Sequence, residues 1–395
     1  YKLEDKITPQ YANRIYDKLE EKGYLSDISR EKSEGTSQII RKNSLVNLFT
    51  DLTYGQGFRK RLSRTVKELL SADEQIKNLY TELAIFDKVD LPYYPCELLT
   101  VRYSIDFNIF AEKNPKKLTP NQKMIVDYVR IDDFGVSLKN TMLINEIWNG
   151  LSKQQICENI VKILHDISGY VSEKDDNYWR IIFESLLKED RLEKSFKIGV
   201  SDILGLYYRV KEGYKNISYY WLQVGIAEQR KGEFAKAHNH LNMAKNIRPR
   251  SYQIQHAIAR NYLRHANCES NIADAEGLFK QGEKYMLELI NSKERYKNKA
   301  KNFSIHCYVF EKMQFIRKNN LDVTNSELLE MKRLIDQIKE DTDVYIDGLI
   351  SSYIHLLKDK NKLGLLHMRP GDRYYQLLSK NVDIDKDYDK IIESY

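Results

Sequence analysis

Glycine and proline are scarce in this chain, and their scarcity limits the folds that it can adopt. The 395 residues include only 17 glycines and 7 prolines. Sheet-rich and nucleotide-binding folds usually contain more glycine, because tight turns and phosphate-binding loops require backbone conformations that other residues rarely adopt. The composition therefore favours long helices and predicts a mainly α protein.

Cysteine is also sparse, and no CxxC pair occurs. Zinc sites and disulfide frameworks both need cysteines at short, regular spacing. We therefore predict buried, reduced thiols at all four positions, which are Cys96, Cys157, Cys268 and Cys307.

Long apolar runs are missing as well. No run approaches the roughly 20 residues that cross a bilayer, and the first residues lack the order of a signal peptide. These absences predict a cytoplasmic protein with no membrane contact. The first residue is Tyr1 rather than methionine, which leaves open whether an N-terminal part of the protein is missing from this chain.

Charge of one sign is only slightly in excess. The chain has 63 basic and 57 acidic residues, which gives a net charge of +6. Such a mild excess does not imply nucleic acid. We expect a protein partner instead, and the sequence leaves self-association open.

Motifs of catalysis and of nucleotide binding are absent from the chain. It has no G-x-x-x-x-G-K-[ST] phosphate loop, no G-x-S-x-G and no HExxH. His238 and His240 are two residues apart on a predicted helix, so they face different sides and cannot share a metal ion. We therefore predict no catalytic residue, no metal and no cofactor in this segment.

One basic run is a candidate for phosphate contacts. It lies in and after "YGQGFRKRL", which has two glycines but not the third of a dinucleotide-binding turn. A solvent-exposed helix face is the competing interpretation. The candidate residues are Arg59, Lys60, Arg61, Arg64 and Lys67.

Periodicity and turn signals divide the first part of the chain. Residues 1–40 are predicted to contain an N-terminal helix, with Thr8 as its N-cap, followed by a polar linker over 26–38. Helices are predicted at 44–52, 57–70 and 73–86. Two β-like runs flank the turn signal "DDFG" and predict a hairpin near 130–138, followed by a helix around Trp148. This order is typical of a winged-helix domain, and we assign 41–170 to a helical plus winged-helix-like domain.

Nearly everything from residue 175 onward has the pattern of amphipathic helices, including two predicted around "KEDR". Thr324 and Glu327 have the spacing of a capping box. We assign helical repeats to 171–291 and further repeats or a cap to 292–395.

The stretch 218–249, "SYYWLQVGIAEQRKGEFAKAHNHLNMAKNIRP", has the spacing of a helical repeat. Gly225, Ala237 and Ala244 are small enough for two antiparallel helices to approach closely. Trp221 and Leu241 fill the space between those helices. The pattern resembles the tetratricopeptide repeat (TPR), a unit of about 34 residues. Glu228 departs from it, because an aromatic residue is usual at that position.

A second unit begins at Tyr252. It resembles the repeat only if four residues are inserted near "NCESNI". Its matching residues are Ala259, Tyr262, Ala275, Phe279 and Gly282.

The resemblance to the TPR implies a concave groove along the first helix of each pair. Leu222 and Ile226 replace the Lys and Asn of repeats that clamp a terminal carboxylate, so we expect no such clamp. The alternative is that neighbouring helices of the same chain fill the groove. The implied groove residues are Tyr219, Leu222, Ile226, Gln229, Arg230, Gln253, His256, Arg260, Leu263 and Arg264.

Three arginines beside an aromatic and aliphatic floor suit a folded or acidic protein partner. If the groove is open, reversing the charges of Arg260 and Arg264 abolishes partner binding. The same change then leaves the melting temperature within a few degrees.

The order of the segments resembles the C-terminal half of STAND-type P-loop ATPases. It is carried by "NLFTDLTYGQGFRKRL", "YYPCELLTVRYSIDF" and "VRIDDFGVSLKNTMLINEIW", followed by the TPR-like helices. Prokaryotic members, antiphage defence proteins among them, combine an N-terminal effector, a central ATPase and a C-terminal helical sensor. The resemblance implies that ATP and Mg²⁺ bind in a missing N-terminal domain, because no Walker motif is present here.

Three functions follow as hypotheses. The first is a non-catalytic sensor segment of an ATP-dependent switch, in which the winged-helix-like module holds the nucleotide domain closed and the repeats bind a protein trigger. The second is a free-standing TPR scaffold, and the third is an enzyme of unrecognised type. A phosphate loop upstream of Tyr1 favours the first, and a start codon there favours the second.

Overall fold

Helices make up most of the structure, as the composition predicts. A computed structural model describes residues 8–21, 32–41, 58–71, 73–105, 109, 115–131, 135–139, 141–292, 298–338, 346–366 and 372–379. The strands in these ranges contain two, three and four residues. The prediction of a mainly α protein is therefore confirmed. The chain divides into two compact units, Tyr1–Lys162 and Ile163–Tyr395.

The first unit combines helices with one small sheet. Its elements are α1 (Pro9–Glu21), α2 (Lys32–Arg41), α3 (Phe58–Ser71), α4 (Glu74–Lys88), β1 (Tyr94–Pro95), α5 (Cys96–Tyr103), α6 (Pro120–Tyr128), β2 (Val129–Ile131), β3 (Gly135–Leu138), α7 (Thr141–Asn149) and α8 (Lys153–Ile167), which continues into the second unit.

The sheet is antiparallel and has the order β1-β3-β2. Val129 pairs with Leu138 across the hairpin, which lies where the sequence predicts it. The strand β1 was not predicted, because two residues are too few for any periodicity. A buried carboxylate holds it in place: the hydroxyl of Tyr94 donates to Glu82 at 2.7 Å, and Arg102 pairs with the same carboxylate at 2.6 Å.

Part of the predicted linker is helical. The structure has α2 from Lys32 onward, where a loop was predicted as far as residue 38. Ile39 is fully buried, and the hydroxyl of Thr36 donates to the side chain of Asn13 in α1 at 3.1 Å. Packing against α1 therefore stabilises a helix that its polar sequence does not predict. The helix predicted at 44–52 lies outside the described residues.

The second unit consists of consecutive helices. They are α9 (Tyr178–Leu187), α10 (Glu189–Lys194), α11 (Val200–Tyr214), α12 (Ser218–Arg230), α13 (Phe234–Ile247), α14 (Tyr252–Cys268), α15 (Ile272–Asn291), α16 (Asn298–Lys318), α17 (Asn325–Asp336), α18 (Ile346–Asp359) and α19 (Arg373–Ser379). None of the described helices combines the length and the apolar character that a membrane crossing requires.

The small residues of the stretch 218–249 lie where α12 and α13 approach most closely. A Cβ atom built on Gly225 would lie 2.6 Å from Cγ of Leu241, and Ala237 is fully buried beside them. The next pair repeats this contact, because a Cβ on Gly282 would lie 2.8 Å from Cγ of Leu263. These residues are packing residues, as their spacing predicts.

The four-residue insertion in the second pair lengthens its first helix. The first helix of that pair, α14, has 17 residues, whereas α12 has 13. Four residues are about one helical turn, so the extra turn keeps the small residues of α15 in register with α14.

One buried core extends through the C-terminal helices, from Ala259 to Tyr374, and so crosses the boundary proposed at 291/292. Cys307 is buried in it. Cys96 and Cys157 are only half-buried. Cys268 is exposed, so the prediction of a buried thiol is wrong there, because this residue ends α14 next to solvent. Thr324 and Glu327 form the predicted capping box of α17.

Candidate binding groove

The ten predicted groove residues lie on α12 and α14, and the structure divides nine of them into two groups. One group is engaged by other helices of the same chain. The other lines an open groove. Ile226 belongs to neither group and is half-buried on α12.

Two of the predicted arginines are held in ion pairs. Arg230 contacts Glu189 of α10 at 2.5 Å and also contacts Glu193. Burial raises the pKa of Glu189, and the guanidinium of Arg230 acts in the opposite direction. Arg264 pairs with Glu311 of α16 at 3.2 Å. Both arginines therefore join their own helix to a neighbouring helix.

The third arginine is part of the interior. Arg260 is 6% exposed, and its Nε donates to the side-chain oxygen of Gln229 at 2.7 Å. Burial lowers the pKa of Arg260 to about 10, which leaves it charged at neutral pH. His256 and Leu263 are buried on the same helix. In this part of the predicted groove, contacts within the chain occupy the side chains that a partner would bind.

The expectation for the double charge reversal is therefore corrected. A glutamate in place of Arg260 buries a carboxylate beside Gln229 and removes the donor of that hydrogen bond. An uncompensated buried charge, such as one left when its ion-pair partner is removed, costs about 3–5 kcal/mol. The change at Arg260 destabilises the fold, so it cannot report on partner binding alone.

The second group lines a groove of about 810 Å³. Tyr219 and Leu222 contribute from α12, and Gln253 contributes from the start of α14. Burial raises the pKa of Tyr219, so its phenol is neutral at physiological pH, and its hydroxyl donates to the backbone carbonyl of Glu184 at 3.3 Å. These three predicted residues are brought together in a groove.

The other side of the groove comes from segments in which the sequence analysis predicted no groove residue. The helices α9 and α10 meet at Lys188, and "RPRS" follows α13. Pro249 cannot continue a helix, so Arg248 and Arg250 lie in the turn before α14. The pattern of two arginines around a helix-ending proline could have indicated this side of the groove from the sequence. The lining residues from these segments are Arg180, Ile181, Glu184, Ser185, Lys188, Arg191, Arg248, Arg250 and Ser251.

The groove is basic. Five of its lining residues are Arg or Lys, and one is Glu. Arg180 is buried and bound to Glu184 at 2.6 Å, so these two charges offset each other. Lys188 and Arg250 are exposed and have no ion-pair partner among the described residues. The positive charge available to a ligand is therefore concentrated at one end of α9 and at the turn before α14.

A carboxylate of the chain already binds at one edge of this surface. Glu173 accepts hydrogen bonds from the backbone amide of Ser218 at 2.8 Å and from its hydroxyl at 2.7 Å. Arg180 and Arg248 lie 3.8 Å and 4.0 Å from the same carboxylate. The start of α12 thus shows that this environment accommodates an anionic side chain.

The two histidines face different neighbours, as their spacing predicts. His238 contacts Asn242 at 2.8 Å, whereas His240 contacts Glu228 at 2.7 Å. Glu228, the residue that departs from the repeat pattern, is fully buried and also accepts a hydrogen bond from Tyr208 at 3.0 Å. Within the described ranges, no group of three or more His, Cys, Asp or Glu side chains is placed to hold a metal ion.

The proposed phosphate contacts lie on α3, in the other unit. Arg64 and Lys67 are exposed, and Arg64 approaches Glu68 at 4.0 Å. The side chains of Arg59, Lys60 and Arg61 lie outside the described part of the chain. Exposure of Arg64 and Lys67 fits both interpretations, so the phosphate contacts stay a prediction.

Comparison of the chain with protein-family models, with curated proteins and with solved structures found no match to any of them. The resemblance to STAND-type ATPases therefore rests on the order of the elements. The resemblance to the TPR rests on the repeat spacing at 218–249.

Proposed function

We propose that this chain is a non-catalytic sensor segment of a larger STAND-type, ATP-dependent switch of the antiphage-defence kind, and that its helical repeats bind a protein trigger. The observation that carries the proposal is the open groove of about 810 Å³ beside α12. Repeat proteins of stacked helix pairs use such concave surfaces for binding. The rest of the predicted groove is occupied by internal contacts, so recognition is assigned to this part.

The first unit supports the same proposal. It has the order α4, β1, α5, α6 and then the β2–β3 hairpin, which suits the winged-helix-like module that the sequence predicts. In the proposed switch this module holds the nucleotide domain closed, and ATP and Mg²⁺ bind to that domain rather than to this segment.

A free-standing TPR scaffold is the alternative function, since either a sensor segment or a scaffold would bind its protein partner in this groove. The coding sequence upstream of Tyr1 distinguishes them. A phosphate loop in the same reading frame supports the switch, and an immediately preceding start codon supports the scaffold.

Protein recognition itself is tested by photo-cross-linking in cells of the source organism. The cross-linking residue is placed at Gln253, which is exposed in the groove, and as a matched control at Glu288, which is exposed on α15. We expect one protein to be cross-linked from Gln253 and not from Glu288, and to bind the wild-type chain after purification. No product from Gln253, or the same products from both positions, contradicts the proposal.

A further inference from the structure

We propose that the groove binds an extended, acidic segment of the partner protein that carries at least one apolar side chain. The inference rests on the proposed function and adds the chemistry of the partner to it. Three features of the groove carry it: its charge, its exposed apolar side chain and the carboxylate that the chain already binds beside it.

The positive charge of the groove favours an anionic ligand. Lys188 and Arg250 are exposed and have no ion-pair partner in the described ranges, and Arg248 reaches only one carboxylate, at 4.0 Å. Arginine side chains suit carboxylates because the planar guanidinium can donate two parallel hydrogen bonds. A basic cleft also raises the association rate of an acidic ligand. An acidic segment is therefore the complementary occupant.

An exposed apolar side chain in the groove sets a second requirement for the partner segment that binds there. Ile181 on α9 is 48% exposed and lines the groove, and Leu222 and Ile254, which are buried, also line it. Covering about half of an isoleucine removes apolar surface from water and adds affinity. A purely ionic ligand leaves this surface exposed, so the best-fitting segment combines carboxylates with an aliphatic residue.

The bound carboxylate of Glu173 indicates how an acidic side chain fits. It accepts hydrogen bonds from the backbone amide and the hydroxyl of Ser218 at the start of α12. The side chains of Arg180 and Arg248 lie near the same carboxylate. The start of α14 follows Arg248 and Arg250 in the chain, and its N-cap residue, Ser251, makes no side-chain cap hydrogen bond within the described part of the chain. In the proposal, these two arginines bind a carboxylate of the partner.

The test is fluorescence anisotropy with the full chain and a labelled peptide of alternating Asp and Ser residues around one central Leu. The groove variant is Lys188→Glu with Arg250→Glu. The control is Lys280→Glu with Lys284→Glu, which changes the net charge equally at two exposed positions of α15. We expect the groove variant to lose about tenfold or more in affinity and the control to stay within about twofold. Thermal melts check that both variants are folded.

A second comparison tests the apolar requirement. Replacing Ile181 with serine is expected to weaken the peptide that contains Leu and to leave a Leu-free peptide unchanged. The inference is overturned by any of three results. The peptide does not bind, both charge variants lose affinity equally, or single-stranded DNA of the same charge binds more tightly than the peptide. A protein cross-linked from Gln253 together with no peptide binding refutes the acidic chemistry but not the proposed function.

Discussion

Replacing Gly225 with alanine tests the close crossing of α12 and α13. An alanine Cβ atom at this position would lie 2.6 Å from Cγ and 2.8 Å from Cδ2 of Leu241, and 3.3 Å from the carbonyl oxygen of Ala237. Contacts below 3.0 Å require the neighbour to move. Gly205 is the matched control, because it lies in α11 and a Cβ atom there meets nothing within 4 Å.

Two effects of opposite sign determine the result. Alanine is more favourable than glycine inside a helix by about 1 kcal/mol, and this gain applies at both positions. At Gly225 the added methyl group also overpacks the interface, which costs about 1–3 kcal/mol. We expect Gly205→Ala to increase the free energy of unfolding by roughly 0.5–1 kcal/mol and Gly225→Ala to reduce it by up to about 2 kcal/mol.

Urea unfolding followed by circular dichroism measures both variants. A second matched pair lies in α15, where Gly277 has free space and Gly282 faces Leu263. Shortening Leu241 to alanine in the Gly225→Ala background relieves the overlap, so the two changes should be non-additive by about 1 kcal/mol or more. The reasoning is refuted if Gly225→Ala is as stable as Gly205→Ala.

Further predictions concern buried residues of the second unit. Ala237→Trp is expected to lower the free energy of unfolding by several kcal/mol, beyond the roughly 1–3 kcal/mol of smaller insertions, and an unchanged thermal melt would show that this crossing is not tight. Burial lowers the pKa of His256 to about 3, below the value of roughly 6.5 in the unfolded chain. The unfolded state therefore binds a proton that the folded state does not, and stability falls as the pH drops below about 6.5. His256→Phe should reduce the loss between pH 7 and pH 5 by about 2 kcal/mol, since each pH unit between about 6.5 and 5 contributes roughly 1.4 kcal/mol; equal losses in urea titrations would contradict this. Arg260→Glu should cost about 3–5 kcal/mol, whereas the exposed control Lys280→Glu should stay within roughly 0.5 kcal/mol, and similar melting temperatures for the two would refute the assigned burial.

Local patterns predicted the helices and the packing of the repeat. Small residues at a fixed spacing along two neighbouring segments predict a close helix crossing, and the structure has that crossing at Gly225 and again at Gly282. The capping box at Thr324 and the hairpin that ends at Leu138 were predicted for the same reason. Each depends on residues a few positions apart, whose interactions are nearly independent of the rest of the chain.

Helical periodicity also determined which side chains share a face of α12 and α14, and the resemblance to the TPR implied which of these faces lines a groove. Only the tertiary structure decided which of these side chains are open to a partner. The carboxylates that engage Arg230 and Arg264 are 41 and 47 residues away along the chain. Lys188, which stays open, lies where two helices meet. Whether an arginine meets an internal carboxylate or solvent depends on how distant helices pack, and the spacing within one helix carries no information about that.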